Sequence, residues 1–373
     1  MSLIIGFHFS MGPMPMNKLG NSDLAVSQFG FGTSMFGLKT EKMLAHKLLD
    51  IAFNDYGVNF IDTSETYPRP NNPDIFGSSE KIIGSWLKTK NREDVVIGTQ
   101  VSGRSNYMDW LRKDGSCTSC SPKQMREALE SSLKRLQTDY IDLYQIQWPD
   151  RYVMDIAEDV HDIDKEYEEE SFISQLETIQ EFIKEGKVRH FGLGNETPYG
   201  VMRFCQASKT NNLPRIVSVQ NAYNLLERGP IELSMIEACT KSHENVGIVA
   251  HTPLAGGVLS GKYVHRIPFN IDYTARLHKY QGFQIRYINE RCLDAARMIY
   301  QACEKYNVKM GPASLKWIAS KQYISSTIVC STDEAQLREN MEAIDLELPD
   351  GIEDDFDLVY QKHRAPTLGK IVA

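Results

Sequence analysis

Eight times along this chain a short apolar run is followed by a segment with apolar residues at helical spacing, and that alternation limits the architecture more than any other feature. The runs lie at 29–32, 58–61, 95–99, 141–146, 190–193, 216–219, 246–250 and 326–329. The helical segments lie at 41–55, 78–87, 122–136, 172–184, 199–206, 231–240, 289–306 and 334–344. In the first of these, Leu44, Leu48, Leu49 and Ala52 share one face, as on a helix that covers a core. Strands alternating with helices form a parallel sheet, and eight such units predict closure into a barrel. A doubly wound open sheet is the competing arrangement. It would be favoured by a G-x-G-x-x-G motif after an early strand, and the nearest approach, Gly192-Leu193-Gly194, has Thr197 in the third glycine's place.

The 373 residues suit one such barrel of about 250 residues with excursions. The expected fold class is therefore α/β, a single (β/α)8 TIM barrel over 16–373 with an N-terminal β-hairpin and two long loops at its C-terminal face. The hairpin is predicted around Gly20-Asn21, and residues 1–15 read as a disordered extension. The long loops, 102–121 and 151–170, follow the third and fourth strands. The second is acidic, ending Asp164-Lys165-Glu166-Tyr167-Glu168-Glu169-Glu170. It reads as a solvated loop, or more sharply as a lid or partner surface that disfavours acidic ligands.

Charge and composition exclude several function classes. A net charge of −8 without a basic tract argues against nucleic-acid binding. No apolar run reaches the roughly 20 residues of a membrane span. The apolar piece Leu3-Ile4-Ile5-Gly6-Phe7 lacks the basic start and cleavage site of a signal peptide. Seven cysteines without a framework suit a reducing, cytoplasmic compartment. Cys117-Thr118-Ser119-Cys120 lacks the second pair a zinc site needs, so it reads as a loop coincidence and no metal is expected.

In a barrel, chemistry belongs at the C-terminal strand ends. Those ends offer Asp62, Gln100, Gln147, Asn195, Gln220 and His251. Six convergent polar residues, mostly neutral, suggest a ligand site rich in hydrogen-bonding groups.

The stretch F-I-D-T-S-E-T-Y ending at Tyr67 resembles the signature of the aldo-keto reductases. The resemblance extends from about 16 to 348 through L-K-R-L-Q-T-D-Y-I-D-L-Y-Q-I-Q-W-P, G-K-V-R-H-F-G-L-G-N-E-T, V-Q-N-A-Y-N-L-L, T-P-L-A-G-G-V-L-S-G-K-Y and A-Q-L-R-E-N. It is strongest to the branch of bacterial stress-type reductases and potassium-channel β subunits. It implies an eight-stranded barrel that binds NADP(H) and takes a small-molecule carbonyl substrate, and it leaves room for a protein partner. By the same resemblance, Asn195 and Gln220 would meet the nicotinamide carboxamide, and His251 would hold the stacking position. Thr252, Leu254 and Gly256 would line the pyrophosphate path, and Lys262 and Arg276 would neutralise phosphates. Thr332, Gln336, Glu339 and Asn340 would form the adenosine end. Gly194 stands where the family has Ser, and Cys330 where it usually has Gly.

The family's catalytic tetrad is Asp, Tyr, Lys and His. Asp62 and Tyr67 match it, whereas Gln100 stands in the Lys position and Gln147 in the His position. A phenol titrates near 10, so reversible proton transfer at neutral pH needs a neighbouring cation that an amide cannot supply. Two readings follow: a cofactor-binding pseudo-reductase that turns over slowly or not at all, or a working NADPH-dependent carbonyl reductase using Tyr67 with an altered proton relay. Tyr67 would be a structural hydroxyl if the site is dead. His251 is a further candidate acid, and Trp110 and Trp148 read as cleft walls or loop anchors.

Overall fold

The computed structural model describes residues 13–154, 160–167, 169–264, 279–280 and 284–368. Residues 1–12 of the expected N-terminal extension lie outside these. The hairpin forms from β1 (Met16–Lys18) and β2 (Ala25–Ser27), paired antiparallel. The eight predicted strands are β3 (Phe29–Gly32), β4 (Phe60–Asp62), β5 (Val96–Val101), β6 (Ile141–Ile146), β7 (Val188–Gly194), β8 (Ile216–Ala222), β9 (Gly247–His251) and β10 (Ile324–Val329). All pair in parallel and in chain order, and β10 returns to β3 to close the barrel. The open-sheet alternative is excluded.

Around the barrel run α1 (Lys42–Asp50), α2 (Ser78–Leu87), α3 (Pro122–Leu136), α4 (Phe172–Lys184), α5 (Pro198–Asn211), α6 (Ile236–Cys239), α7 (Glu290–Lys305), α8 (Met310–Ala319), α9 (Glu334–Met341) and α10 (Ile352–Lys362). Their starts are set locally. Ser171, Thr197, Asn289 and Asp333 accept backbone N–H bonds from the first turns of α4, α5, α7 and α9. Two predicted helices carry wider turns: 41–55 is α1 followed by a π-helical turn, and 231–240 begins with one.

Among the described residues two helices, α8 and α10, were not expected from the sequence. Every residue of α8 except Lys316 is buried, so it shows no polar face, and Gly311 and Pro312 read as breakers. Proline is tolerated there because the first turn's N–H groups have no helical partner. It is α8 that packs on β10 and completes the ring, while α7 packs on α10 outside it. Among the described residues no helix is long and apolar enough to cross a membrane.

The core has two parts. The larger lies between the strands and the helices. The smaller fills the lower barrel, where Leu19, Leu24 and Val26 of the hairpin meet Phe60, Val96, Leu143, Val217, Val249 and Ile328. The hairpin turn is pressed against the first residues of β8 and β9. Gly20 has φ 56°, and a Cβ there would sit 2.3 Å from the Val217 carbonyl oxygen. The bottom of the barrel is thereby closed with apolar side chains, and the site must open at the other end.

Leu19 is fully buried in that plug. Leu19→Ala should lower the unfolding free energy by about 3 kcal/mol, as buried leucine truncations do. Because the plug lies at the end opposite the strand-end site, ligand affinity should stay within about twofold. Urea unfolding and a binding titration on the same variant test both statements.

Candidate active site

The floor of the site is built by strand register. Asp62 is the last residue of β4 and pairs with Gly98 of β5, so Gln100 projects into the barrel one step higher. Asp62 is almost wholly buried, at 2% exposure. Its Oδ1 accepts hydrogen bonds from Gln100 Nε2 at 2.9 Å and Gln220 Nε2 at 2.8 Å. Gln100 Nε2 also lies 3.1 Å from Gln220 Oε1, which links three strands through two amides and one carboxylate. Burial raises the carboxyl from 3.8 to about 6, because the amide donors that favour the ionised form do not replace lost water or supply a charge.

The loop after β4 is stitched to β5. Thr63 N donates to Gly98 O, Glu65 N to Gln100 O, and Tyr67 N closes a turn onto Ser64 O. Glu65 is buried and grips the buried Arg112 with two hydrogen bonds, of 2.8 and 2.9 Å. Its Oε1 also accepts from Ser102 N. The clasp ties the segment carrying Tyr67 to the long 102–121 loop. Glu65 lies within the F-I-D-T-S-E-T-Y stretch, but its partner is 47 residues away in irregular chain, where no periodicity marks it.

Gln147 follows β6. Its Oε1 accepts from Thr66 Oγ1 at 3.0 Å and its backbone oxygen accepts from Asn195 Nδ2 at 2.8 Å. The residue lines the cavity. Asn195 Oδ1 is met by His251 Nε2 at 2.9 Å, and His251 Nδ1 by Thr252 Oγ1 at 2.9 Å. Burial, reinforced by the nearby positive charges of Arg286 and Arg69, pushes the imidazole down to about 3. The ring is therefore neutral, with its proton on Nε2, since a carbonyl oxygen can only accept. A neutral imidazole whose proton is committed to Asn195 is not a general acid near pH 7, which removes that reading of His251. Its two in-plane bonds leave its faces for stacking.

The opposite end is formed by the loop after β9 and the start of α9. Gly256 (φ 66°) and Gly257 (φ 101°) adopt left-handed backbone, and a Cβ on Gly257 would lie 2.9 Å from Lys262 Nζ. Thr332 and Gln336 bond each other, and Asn340 Nδ2 donates to Ser331 Oγ at 3.0 Å. Leu254, Lys262 and Glu339 line the same space. All the sequence-predicted site residues except Arg276, which lies outside the described residues, line one cavity of about 850 Å3 at the C-terminal strand ends. Among the described residues no cluster of His, Cys, Asp and Glu is placed to hold a metal.

Both aromatic candidates are assigned contacts. Trp148 lines the cavity and donates from Nε1 to Arg104 O at 2.8 Å, so it is wall and anchor at once. Trp110 packs on Phe76 with ring centroids 5.2 Å apart and anchors its loop. The described part of the acidic excursion turns no acid into this cavity. It contributes Arg151, Tyr152, Val153, Met154 and Tyr167, while Asp155, Glu158, Asp159 and Glu168, on which the expected lid also rests, lie outside the described residues.

The comparisons agree with this arrangement. A model of the Aldo/keto reductase family matches residues 28–359. The chain is 34% identical over 358 residues to protein tas of Escherichia coli (strain K12), covering 95% of this chain and 99% of that protein. It is 36% identical over 282 residues to an aldo-keto reductase of Babesia bovis, covering 73% of this chain and 98% of that protein. A probable voltage-gated potassium channel subunit beta of Arabidopsis thaliana is 26% identical over 334 residues, covering 89% of this chain and 92% of that protein. A closed parallel barrel with its polar strand ends gathered in one cavity, matched along nearly its whole length by such relatives, makes this chain a member of the aldo/keto reductase family.

Proposed function

We propose that this protein is an NADP(H)-binding aldo/keto reductase of low turnover, its chemistry limited by missing charge rather than by a missing cofactor site. The observation that carries this reading is the floor: Asp62 is surrounded by neutral amides where the family has a lysine. The other end of the cavity fits a dinucleotide. Paired left-handed glycines leave backbone open beside the Lys262 ammonium, a suitable place for phosphate. Thr332, Gln336, Glu339 and Asn340 would hold the adenosine end, with Thr252, Leu254 and Gly256 along the path between. Asn195, Gln220 and His251 would meet the nicotinamide, although the amides of Asn195 and Gln220 already bond protein groups that would have to share them.

When bound, NADPH would supply hydride to the carbonyl carbon. Tyr67 is the proton donor of this reading. Gln147, its Oε1 held by Thr66, would use its amide nitrogen to donate a hydrogen bond to the carbonyl oxygen as the family's histidine does. Positioning is thus retained at the fourth tetrad place, while the third offers no cation to favour phenolate. The competing reading, a fully active reductase with an altered relay, predicts turnover of reactive aldehydes at about 1 s⁻¹ or faster, within the ordinary range for enzymes.

Three outcomes test this reading. NADPH should bind more tightly than NADH, and Lys262→Ala or Arg276→Ala should weaken NADPH binding in a fluorescence titration, more so at low salt. Equal affinities that ignore both substitutions would remove the cofactor assignment.

Gln100→Lys should raise the low parental rate about tenfold or more. Adding Gln147→His should raise it further, and adding Tyr67→Phe to that pair should abolish the gain. Steady-state NADPH oxidation reads these directly, and a double variant that binds NADPH yet gains nothing would show that charge is not what limits the site.

The third outcome concerns pH. With its carboxyl raised from 3.8 to about 6, folded Asp62 holds its proton more tightly than the unfolded chain does. Stability contributed by that proton is present at low pH and lost as pH rises through 6, a cost of about 3 kcal/mol at neutrality. Asp62→Asn keeps an oxygen for both amides, so it should raise the melting temperature by several degrees at pH 7.5. The gain should shrink to about a third at pH 4.5, whereas an equal effect at both pH values would place the strain elsewhere.

A further inference from the structure

Among the described residues four arginines line the cavity, and three are matched with an acid. Arg104 pairs with Asp150 at 2.9 Å, Arg151 with Glu196, and Arg286 with Glu227 at 3.3 Å. Arg69 is different. Among the described residues no carboxylate lies within ion-pair distance of it. Its guanidinium instead lies over two aromatic rings, with Cζ 5.9 Å from the centroid of Tyr67 and 5.7 Å from that of Trp148.

The position is fixed from several sides. Arg69 N donates to Ser34 O at 2.8 Å, and Trp148 is held by its own bond to Arg104 O. A half-buried guanidinium stays charged, since it does not lose its proton in proteins. Aromatic faces compensate such a cation only in part, and a charge withdrawn from water without a counter-ion is unfavourable. The same burial pulls the group's pKa down, the direction expected when no anion compensates it. An anion in the cavity would restore what the fold withholds.

We infer that Arg69 is the recognition residue for a carboxylate on the substrate, so that this site takes carbonyl compounds carrying an acid group. This rests on the reading of the cavity as a carbonyl site. Arg69 stands two residues beyond Tyr67 and its charge is felt at His251, so the bound carboxylate would lie close to the reacting carbonyl rather than at a distant rim. The planar guanidinium suits a carboxylate, which it can bind through two parallel hydrogen bonds. Trp148, and Tyr107 on the opposite loop, offer flat apolar surface for the body of the molecule. The described part of the acidic excursion presents Arg151 and apolar or aromatic groups to the cavity.

A phosphate of the dinucleotide is the other anion that could meet Arg69, and the test separates the two. Binding of 4-carboxybenzaldehyde and of its neutral methyl ester is measured by calorimetry, on the protein alone and with NADP+ present. NADPH affinity is measured on the same samples. The parent should prefer the carboxylate by about tenfold or more. Arg69→Gln should erase that preference while leaving NADPH affinity within about twofold, and Arg69→Lys, which keeps the charge without the fork, should retain part of it.

No preference in the parent overturns the inference. So does an Arg69→Gln protein that loses NADPH affinity but keeps the ratio of acid to ester, since the anion would then be the cofactor's. Equal losses for acid and ester also overturn it, because Arg69 would then act on the site as a whole. If the parent binds no NADPH, the cofactor reading fails, while the acid-to-ester ratio measured without NADP+ still decides the role of Arg69.

Discussion

The polar floor of this barrel depends on one buried carboxylate that has no cation beside it among the described residues. Asp62 is placed by the register of the first barrel strands and held by the amide nitrogens of Gln100 and Gln220. An amide reproduces the reach and the hydrogen bond of an ammonium group without its field. The architecture therefore tolerates the replacement, because the bonds that tie strand to strand survive. On the proposed reading, proton transfer is the part exposed to it, because stabilising phenolate requires charge. On that reading fold and catalysis, which usually change together when a buried ion pair is broken, are separable.

Much of this was legible in the sequence, for a geometrical reason. Once eight parallel strands are recognised, every residue at a C-terminal strand end must face one mouth, so Asp62, Gln100, Gln147, Asn195, Gln220 and His251 converge without further information. The residues that escaped notice all act from irregular chain or through distant partners. Arg69, the Glu65–Arg112 clasp and the Thr66 bond that orients Gln147 follow no period, and their partners are dozens of residues away or on another loop. Helix α8 was hidden for the converse reason. It is so thoroughly buried that it has no polar face to make a pattern.

Composition along the chain and the groups that line a cavity are different quantities. The 151–170 excursion is acidic in composition, yet what a ligand would meet from its described part is Arg151 among aromatic and apolar side chains. Net charge describes a segment as seen from far away, whereas a bound molecule responds to the few groups within a Debye length, about 8 Å at physiological salt. The arginines at the mouth are likewise nearly silent where each holds an acid, and the one over the Tyr67 ring is conspicuous because among the described residues it holds none.

The clasp between Glu65 and Arg112 also divides the 102–121 loop into two parts with different freedoms. The inner part carries Arg104 and Tyr107 to the cavity and is bound to the returning chain, with Ser105 N on Thr118 O and Thr118 Oγ1 on Gly103 O. The outer part is a turn at Asp114-Gly115, where a glycine Cβ would meet nothing within 4 Å. Residues can be added or lost at that outer turn without moving the inner one, since lengthening an already closed loop costs little entropy. Such an arrangement lets a lineage experiment with new surfaces at the rim of the barrel while the residues around Tyr67 are inherited undisturbed.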